Sequence, residues 1–332
     1  VVISKYLGLT DRVLLPIIGD KAEFDYRPFY NATKSVVSAN GSSRSNGATN
    51  GEFSYLGDYD SKGTPLYLVG RDNIESSFLD DINESLPEYK ELPESHPEYL
   101  AEGSETNIEL VKKADVWVTF VAEGAGWKNA LGYYTYQKDS PPQSVDEIVD
   151  LKIIFPNASM KGSGGNLLSG DKVYLGRFPA NTVVSWFLVA DGWDGQEVKN
   201  SGNGLHFSQP VLNAEKDLEL KQHMVMLWDK VREKLLLGFE DIPRNWSMCD
   251  NDFNDAVFYA SVNPVDAVKT DNINPIDAAN DADGDGINDE IDDFPYDPDK
   301  SFNNFYPSEK DNGTLAFEDL WPGKGDYDFN DL

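Results

Sequence analysis

Acidic side chains outnumber basic ones two to one in this chain, 58 Asp and Glu against 28 Lys and Arg, for a formal net charge of −30. A surplus of that size opposes compaction through self-repulsion and repels polyanions, so nucleic acid is not an expected partner. The chain nevertheless has material for a core, 40% hydrophobic and 12% aromatic residues, which sets it apart from acidic disordered segments. Such a charge is tolerable if bound cations neutralise part of it, so localised acid clusters are expected. Oxygen-only donor sets favour hard ions, and calcium ions are the first expected partner.

At 332 residues the chain is long enough for two domains or for one large sandwich with appendages. Its single cysteine, Cys249, rules out an internal disulfide. No run of eighteen apolar residues occurs, so no transmembrane helix is expected. The start at Val1-Val2-Ile3, without a methionine, reads as a chain from which an upstream segment has been removed, by processing or by choice of the boundary, and a signal or lipid anchor is one expectation for that segment.

Organisation changes along the chain. Residues 1–108 read as an irregular N-terminal region with a Gly/Ser/Asn tract from Ser38 to Gly51 and one short helix. That helix follows from Ile74, Phe78, Leu79, Ile82 and Leu86 at helical spacing, with Asp72 or Asn73 as N-cap and Pro87 as the stop. Pro-Glu-Tyr at 87–89 and 97–99 reads as a proline-stiffened acidic connector whose tyrosines pack on a neighbouring domain. Residues 109–263 carry strand-like runs at 115–122, 131–136, 149–155, 172–178, 182–190, 223–228 and 256–262. Without helical crossovers between them, the expected architecture is mostly β, a jelly-roll-like antiparallel sandwich. Val116, Val118 and Phe120 oppose Trp117, Thr119 and Val121, which predicts a strand buried on both faces. Residues 264–316 read as an acidic calcium-binding linker, and 317–332 as the start of a second β domain continuing beyond Leu332.

The most specific motif lies in that linker. In Asp281-Ala282-Asp283-Gly284-Asp285-Gly286-Ile287-Asn288-Asp289-Glu290-Ile291-Asp292, carboxylates fall at positions 1, 3, 5, 9 and 12 of an EF-hand-type loop. Gly286 permits the turn at position 6, and Ile287 offers a carbonyl at position 7. The expected ligands are Asp281, Asp283, Asp285, Ile287, Asp289 and Asp292. Aspartate at position 12, and the lack of a helix former before Asp281, make the loop similar to thrombospondin type 3 or dockerin loops. The continuation Asp293-Phe294-Pro295-Tyr296-Asp297-Pro298 resembles the former.

A second motif is an internal repeat. Phe239-Glu240-Asp241, followed by Asp250-Asn251-Asp252-Phe253-Asn254-Asp255, recurs as Phe317-Glu318-Asp319, followed by Asp326-Tyr327-Asp328-Phe329-Asn330-Asp331. An extended segment would turn Asp250, Asp252 and Asn254 to one side and Phe253 to the other, so that oxygens gather while the ring anchors. Glu240 or Asp241 would complete the shell, with Asp255 beside it. In the second copy the candidates are Glu318, Asp319, Asp326, Asp328, Asn330 and Asp331. The alternative is an Asx-turn cluster that caps strands.

These paired segments resemble those of LruC-domain proteins, secreted or outer-membrane-associated proteins of Gram-negative bacteria, over roughly residues 109–332. The resemblance implies a β-rich fold and a location at the cell surface, outer membrane or outside the cell.

No enzyme signature accompanies these motifs: there is no Gly-x-Ser-x-Gly, His-Glu-x-x-His, phosphate-binding glycine loop or cysteine cluster. His96, His206 and His223 lie far apart in sequence and read as packing or surface residues. Asp58-Tyr59-Asp60-Ser61-Lys62-Gly63 begins like a calcium loop but puts Lys62 at a ligand position, so it reads as a turn. The expected function is non-catalytic: calcium-dependent binding, adhesion or surface assembly. Two alternatives stand beside it. One is a carbohydrate-binding or glycan-active protein using rings such as Tyr134 and Trp193. The other is a subunit of a surface layer or outer-membrane complex.

Overall fold

The apolar runs of the central region form two facing β-sheets, and the computed structural model describes them within residues 52–303, apart from 201, 283, 285, 286 and 290. The N-terminal 51 residues, part of the acidic linker and the whole second copy of the repeat lie outside the described residues.

The elements run β1 (Ser54–Tyr55), β2 (Leu68–Arg71), α1 (Ser76–Ser85), α2 (Leu92–Ser95), β3 (Ile108–Glu109), β4 (Ala114–Glu123), β5 (Ala130–Gln137) and β6 (Lys152–Phe155). They continue with β7 (Asp171–Phe178), β8 (Thr182–Val189), β9 (Leu205–Phe207), β10 (Met224–Asp229), β11 (Lys234–Phe239), β12 (Ala256–Asn263) and β13 (Asn274–Pro275). One sheet has the order β1-β6-β5-β8-β3, with β9 also on β8; the other has the order β13-β10-β11-β12-β4-β7-β2. Pairing is antiparallel except for two edge pairs, β1 with β6 and β10 with β13. The architecture is a β-sandwich. It draws β1, β2 and β13 from segments outside residues 109–263, and β3 straddles the boundary at 108–109.

Burial explains why these runs fold as they do. Val116, Val118 and Phe120 of β4 meet Leu131, Trp186 and Leu188 of the opposite sheet in the central core. Phe155 spans the gap, with its ring stacked on Phe258 at 5.8 Å. The other face of β4 is covered as well: Val121 joins Val225, Leu236, Val257 and Tyr259 under Phe78, Ile82 and Leu86 of the α1 segment, Leu92 and Tyr99. A third apolar layer, with Phe53, Tyr55, Tyr134, Trp193 and Phe207, covers the outer face of the six-stranded sheet. Much of each sheet is thus covered on both sides, while β7 alternates buried and half-buried residues and β2 lies open at the edge. Strands covered on both sides read as continuous apolar runs, as all eight buried residues of β8 do.

Two local expectations need correction. Helix α1 is present, but its N-cap is Glu75, and neither Asp72 nor Asn73 caps it. The Asp72 carboxylate instead takes hydrogen bonds from Thr119 and Tyr259 and pairs with Lys172 across the sheet. In the connector that follows, Tyr99 is buried and stacked on His96, whereas Tyr89 is 82% exposed.

Candidate metal centre

The first copy of the repeat sits where β11 and β12 end together. Phe239 pairs with Ala256, so Glu240 and Asp241 run off the strand beside Asp255. The ladder is extended past the strands by main-chain donors. Glu240 N–H donates to the His223 carbonyl at 3.0 Å, and Asp241 N–H donates to Asp255 Oδ2 at 2.9 Å. Gly124 and Ala125, just beyond β4, both donate to the Asp255 carbonyl. The ends of four adjacent strands, β10, β11, β12 and β4, thereby fix the main chain around these acids.

The alternation of residues 250–255 predicts an extended segment, and the structure corrects it: the segment is bent. Asn251 and Phe253 take positive φ, 55° and 60°, and the chain bends at each. Asn tolerates this conformation, but a phenylalanine there is strained and persists only when its surroundings determine it. Here the Phe253 ring is fully buried beneath the α1 layer, with the Arg244 guanidinium 5.1 Å from its centroid. Arg244 is tied in turn to Asn251 Oδ1 at 2.8 Å and to the carbonyls of Glu219 and Gln222. Burial of the ring thus holds the bend, and the bend aims the acids.

The acids converge. One oxygen each from Glu240, Asp250 and Asp252 lies within 4.8 Å of the others, and one each from Glu240, Asp241 and Asp255 does the same. Asp252 accepts N–H groups from Asn254 and Tyr89, both at 3.2 Å. Asp241 Oδ2 accepts the Asn129 side-chain amide at 2.6 Å. Asn254, the remaining candidate of this copy, turns its amide to the Leu86 carbonyl at 3.4 Å.

Glu240 is the decisive residue. Its exposure is 0%, and neither carboxylate oxygen takes a hydrogen bond from a nitrogen or hydroxyl donor; the groups beside it are the Asp255 carboxylate and the Cys249 thiol. Among the described residues, no Lys or Arg forms an ion pair with any of the five acids. Burying an ionised carboxylate without a counter-charge costs several kcal/mol, and buried acids are normally paired or bound to metal. In the metal-free chain the strain appears as proton affinity. Burial, then the neighbouring Asp255 charge, pushes Glu240 up to about 9 and Asp241 to about 7. Burial raises Asp252 to about 6 and also raises Asp255. An all-oxygen set with an orphaned buried carboxylate at its centre fits a hard divalent cation.

Behind the acids lies a pair of histidines that sequence reasoning left as separate packing residues. His206 and His223 stack with centroids 3.9 Å apart. His206 Nε2 meets the Asp241 carbonyl at 3.1 Å, and His223 Nδ1 meets the Glu240 carbonyl at 3.3 Å. His223 Nε2 lies 2.9 Å from Glu215 Oε1. Burial, then the His223 charge, lowers His206 to about 3, so it stays neutral. The two rings brace the Glu240–Asp241 main chain from below. Asn129 braces it from the other sheet: it donates to Asp241 and accepts the Asp191 N–H at 3.0 Å. No local motif announces these residues, because they come from distant strands. His223 alone falls in a predicted strand, as the first residue of the run 223–228, but the β11 partner that carries Glu240 is not among the predicted strands.

Residues 178–263 match a family model described as a domain of unknown function, DUF4114. No curated protein and no solved structure gives a match to the chain. The DUF4114 stretch takes in β8 to β12 and contains Glu240, Asp241, Asp250, Asp252 and Asp255, together with His206, Glu215 and His223. Asn129, β4 and the helices that hold the Phe253 ring lie outside it.

The other predicted sites are described only in part. In the 281–292 loop, Asp283 and Asp285 lie outside the described residues. Of the rest, Asp281 Oδ1 accepts the Gly284 N–H at 2.8 Å across a local turn, and Asp289 Oδ1 accepts the Ala282 N–H at 2.9 Å across the loop. Ile287 is fully buried, and Asp292 Oδ2 is buried without a partner. Glu318, Asp319, Asp326, Asp328, Asn330 and Asp331 all lie outside the described residues. At the weak candidate, Asp60 Oδ1 accepts the Lys62 and Thr64 N–H groups, and Gly63 takes φ 79°, which is turn chemistry.

Proposed function

We propose that this chain is a non-catalytic calcium-binding protein of the bacterial surface, working in binding, adhesion or surface assembly, and that Ca²⁺ at Glu240, Asp241, Asp250, Asp252 and Asp255 completes its fold. The supporting observation is Glu240, fully buried and without a nitrogen or hydroxyl donor among four other acids. Ca²⁺ takes six to eight oxygens in irregular shells, which suits a set of carboxylates from a strand end and a bent loop. The 281–292 loop supplies a further site, and its thrombospondin type 3-like register supports the same metal. The surface location follows from the LruC resemblance of the paired segments.

Two of the rings that motivate the glycan alternative are packed into the fold. Trp193 is 5% exposed and packs edge-on against Tyr59 at 5.5 Å, and Tyr134 is 1% exposed with its hydroxyl on Gln209. Neither offers a free face for stacking a sugar.

Thermal unfolding of the full chain in EDTA and in calcium tests the proposal. A cation that binds only the folded state adds about 2.7 kcal/mol at one hundred times its dissociation constant, which raises Tm by roughly 5–10 °C for a domain of this size. An identical transition in both buffers would refute it.

A further inference from the structure

The carboxylates of the centre fall into two sets that share one member. Glu240, Asp250 and Asp252 form one triad of oxygens within 4.8 Å, and Glu240, Asp241 and Asp255 form another, but the five do not gather within a single span of that size. Ca²⁺ holds its oxygens at about 2.3–2.6 Å, so two ligand atoms on one ion are at most about 5 Å apart. Each triad therefore has the dimensions of one ion's shell, and all five acids together exceed it.

We propose that the centre is binuclear, with Glu240 bridging two divalent cations: one held with Asp250 and Asp252, the other with Asp241 and Asp255. This rests on the calcium reading of the same acids. The distribution of hydrogen bonds supports the division. Asp241 Oδ2 is taken by Asn129 and Asp255 Oδ2 by the Asp241 N–H, which leaves the Oδ1 atom of each for a ligand role. Neither Glu240 oxygen takes a nitrogen or hydroxyl donor, which leaves one for each ion. Both Asp252 oxygens accept a single N–H, and a carboxylate oxygen has a second lone pair to offer.

Charge arithmetic points the same way. The five acids of the two triads carry five negative charges when ionised. One divalent ion leaves a residue of three where Glu240, Asp252 and Asp241 are 0%, 1% and 4% exposed; two ions leave one. A residue of three buried like charges is the state that low-dielectric surroundings disfavour most.

The two positions differ in surroundings. Asp250 is exposed, so its ion faces solvent. The Asp241 position is closed over and tied through Asn129 to Asp191 of the opposite sheet. The closed position binds more tightly, because its ligands are held before the ion arrives.

Equilibrium dialysis of the metal-stripped full chain against ⁴⁵Ca²⁺ tests this by difference, which removes the contribution of sites elsewhere. Glu240→Gln keeps the side-chain shape, removes the buried charge and should cost two ions per chain relative to the parent. Asp250→Asn, at an exposed position, should cost one ion and leave the tighter one in place. Loss of a single ion in Glu240→Gln overturns the binuclear centre while leaving a calcium site; loss of none overturns the calcium reading as well. Loss of both ions, or of none, in Asp250→Asn also contradicts the division into two positions.

Discussion

Glu240 and Phe253 are the two side chains on which the centre turns, and they act in opposite senses. The ring of Phe253 is fully buried and contributes apolar contact that holds a strained loop in place. Replacing it by alanine removes the anchor and leaves a cavity, at a cost of about 3–5 kcal/mol, and frees the loop. The expected outcome is a lower urea midpoint together with weaker calcium binding by titration calorimetry; unchanged affinity at reduced stability would show that the ring does not aim the acids. Glu240 instead burdens the metal-free chain with a buried acid that no nitrogen or hydroxyl donor reaches. Glu240→Gln should therefore stabilise the protein in EDTA by about 1–3 kcal/mol and remove most of its gain from calcium. Denaturation curves of both proteins in both buffers read this crossing, and a variant less stable than the parent in EDTA would contradict it.

At the scale of elements, the site is a property of strand ends, which is why its proton linkage is marked. Glu240 rises from 4.5 to about 9 and Asp241 from 3.8 to about 7. The folded metal-free chain thus holds protons that the unfolded chain releases, so stability falls as pH rises between roughly 4 and 9. The gap between Glu240→Gln and the parent in EDTA should widen from pH 5 to pH 9, as read by urea midpoints. A gap that narrows would reverse the sign of the linkage. The same scale shows what the sequence discloses. Alternation and turn residues locate β4, β5, β7, β8 and β12 to within a residue or two, and the helical spacing locates α1. Strand β11, with its Leu235-Leu236-Leu237 run, escaped because a short continuous apolar stretch does not distinguish a strand from other buried structure. The two-residue strands β1, β3 and β13 carry no periodicity at all and exist only through their partners. The acids themselves were legible, since Phe-Glu-Asp and Asp-x-Asp-Phe-Asn-Asp bring their chemistry in short compass. Their conformation was not, because the left-handed turns at Asn251 and Phe253 are imposed by packing under α1.

Across the whole molecule, the centre is the point where the layers meet. Its main chain extends β10, β11 and β12; Asn129 reaches it from the opposite sheet; and Tyr89, Leu92 and Leu86 of the helical layer bond to its loop. A cation there would reinforce contacts among all three layers, and its removal should then loosen more than one loop. Hydrogen exchange in EDTA should show lost protection at Gly124, Ala125 and Leu92 along with 250–255, whereas loss confined to that loop would mean that the layers hold without metal. The most direct measurement is an anomalous difference map from crystals of the full chain grown in calcium. Calcium bound by these acids gives a peak at ligand distance from Glu240, between Asp250 and Asp252 or between Asp241 and Asp255. An ordered Glu240 carboxylate with no such peak beside it at millimolar calcium would contradict calcium binding by these acids.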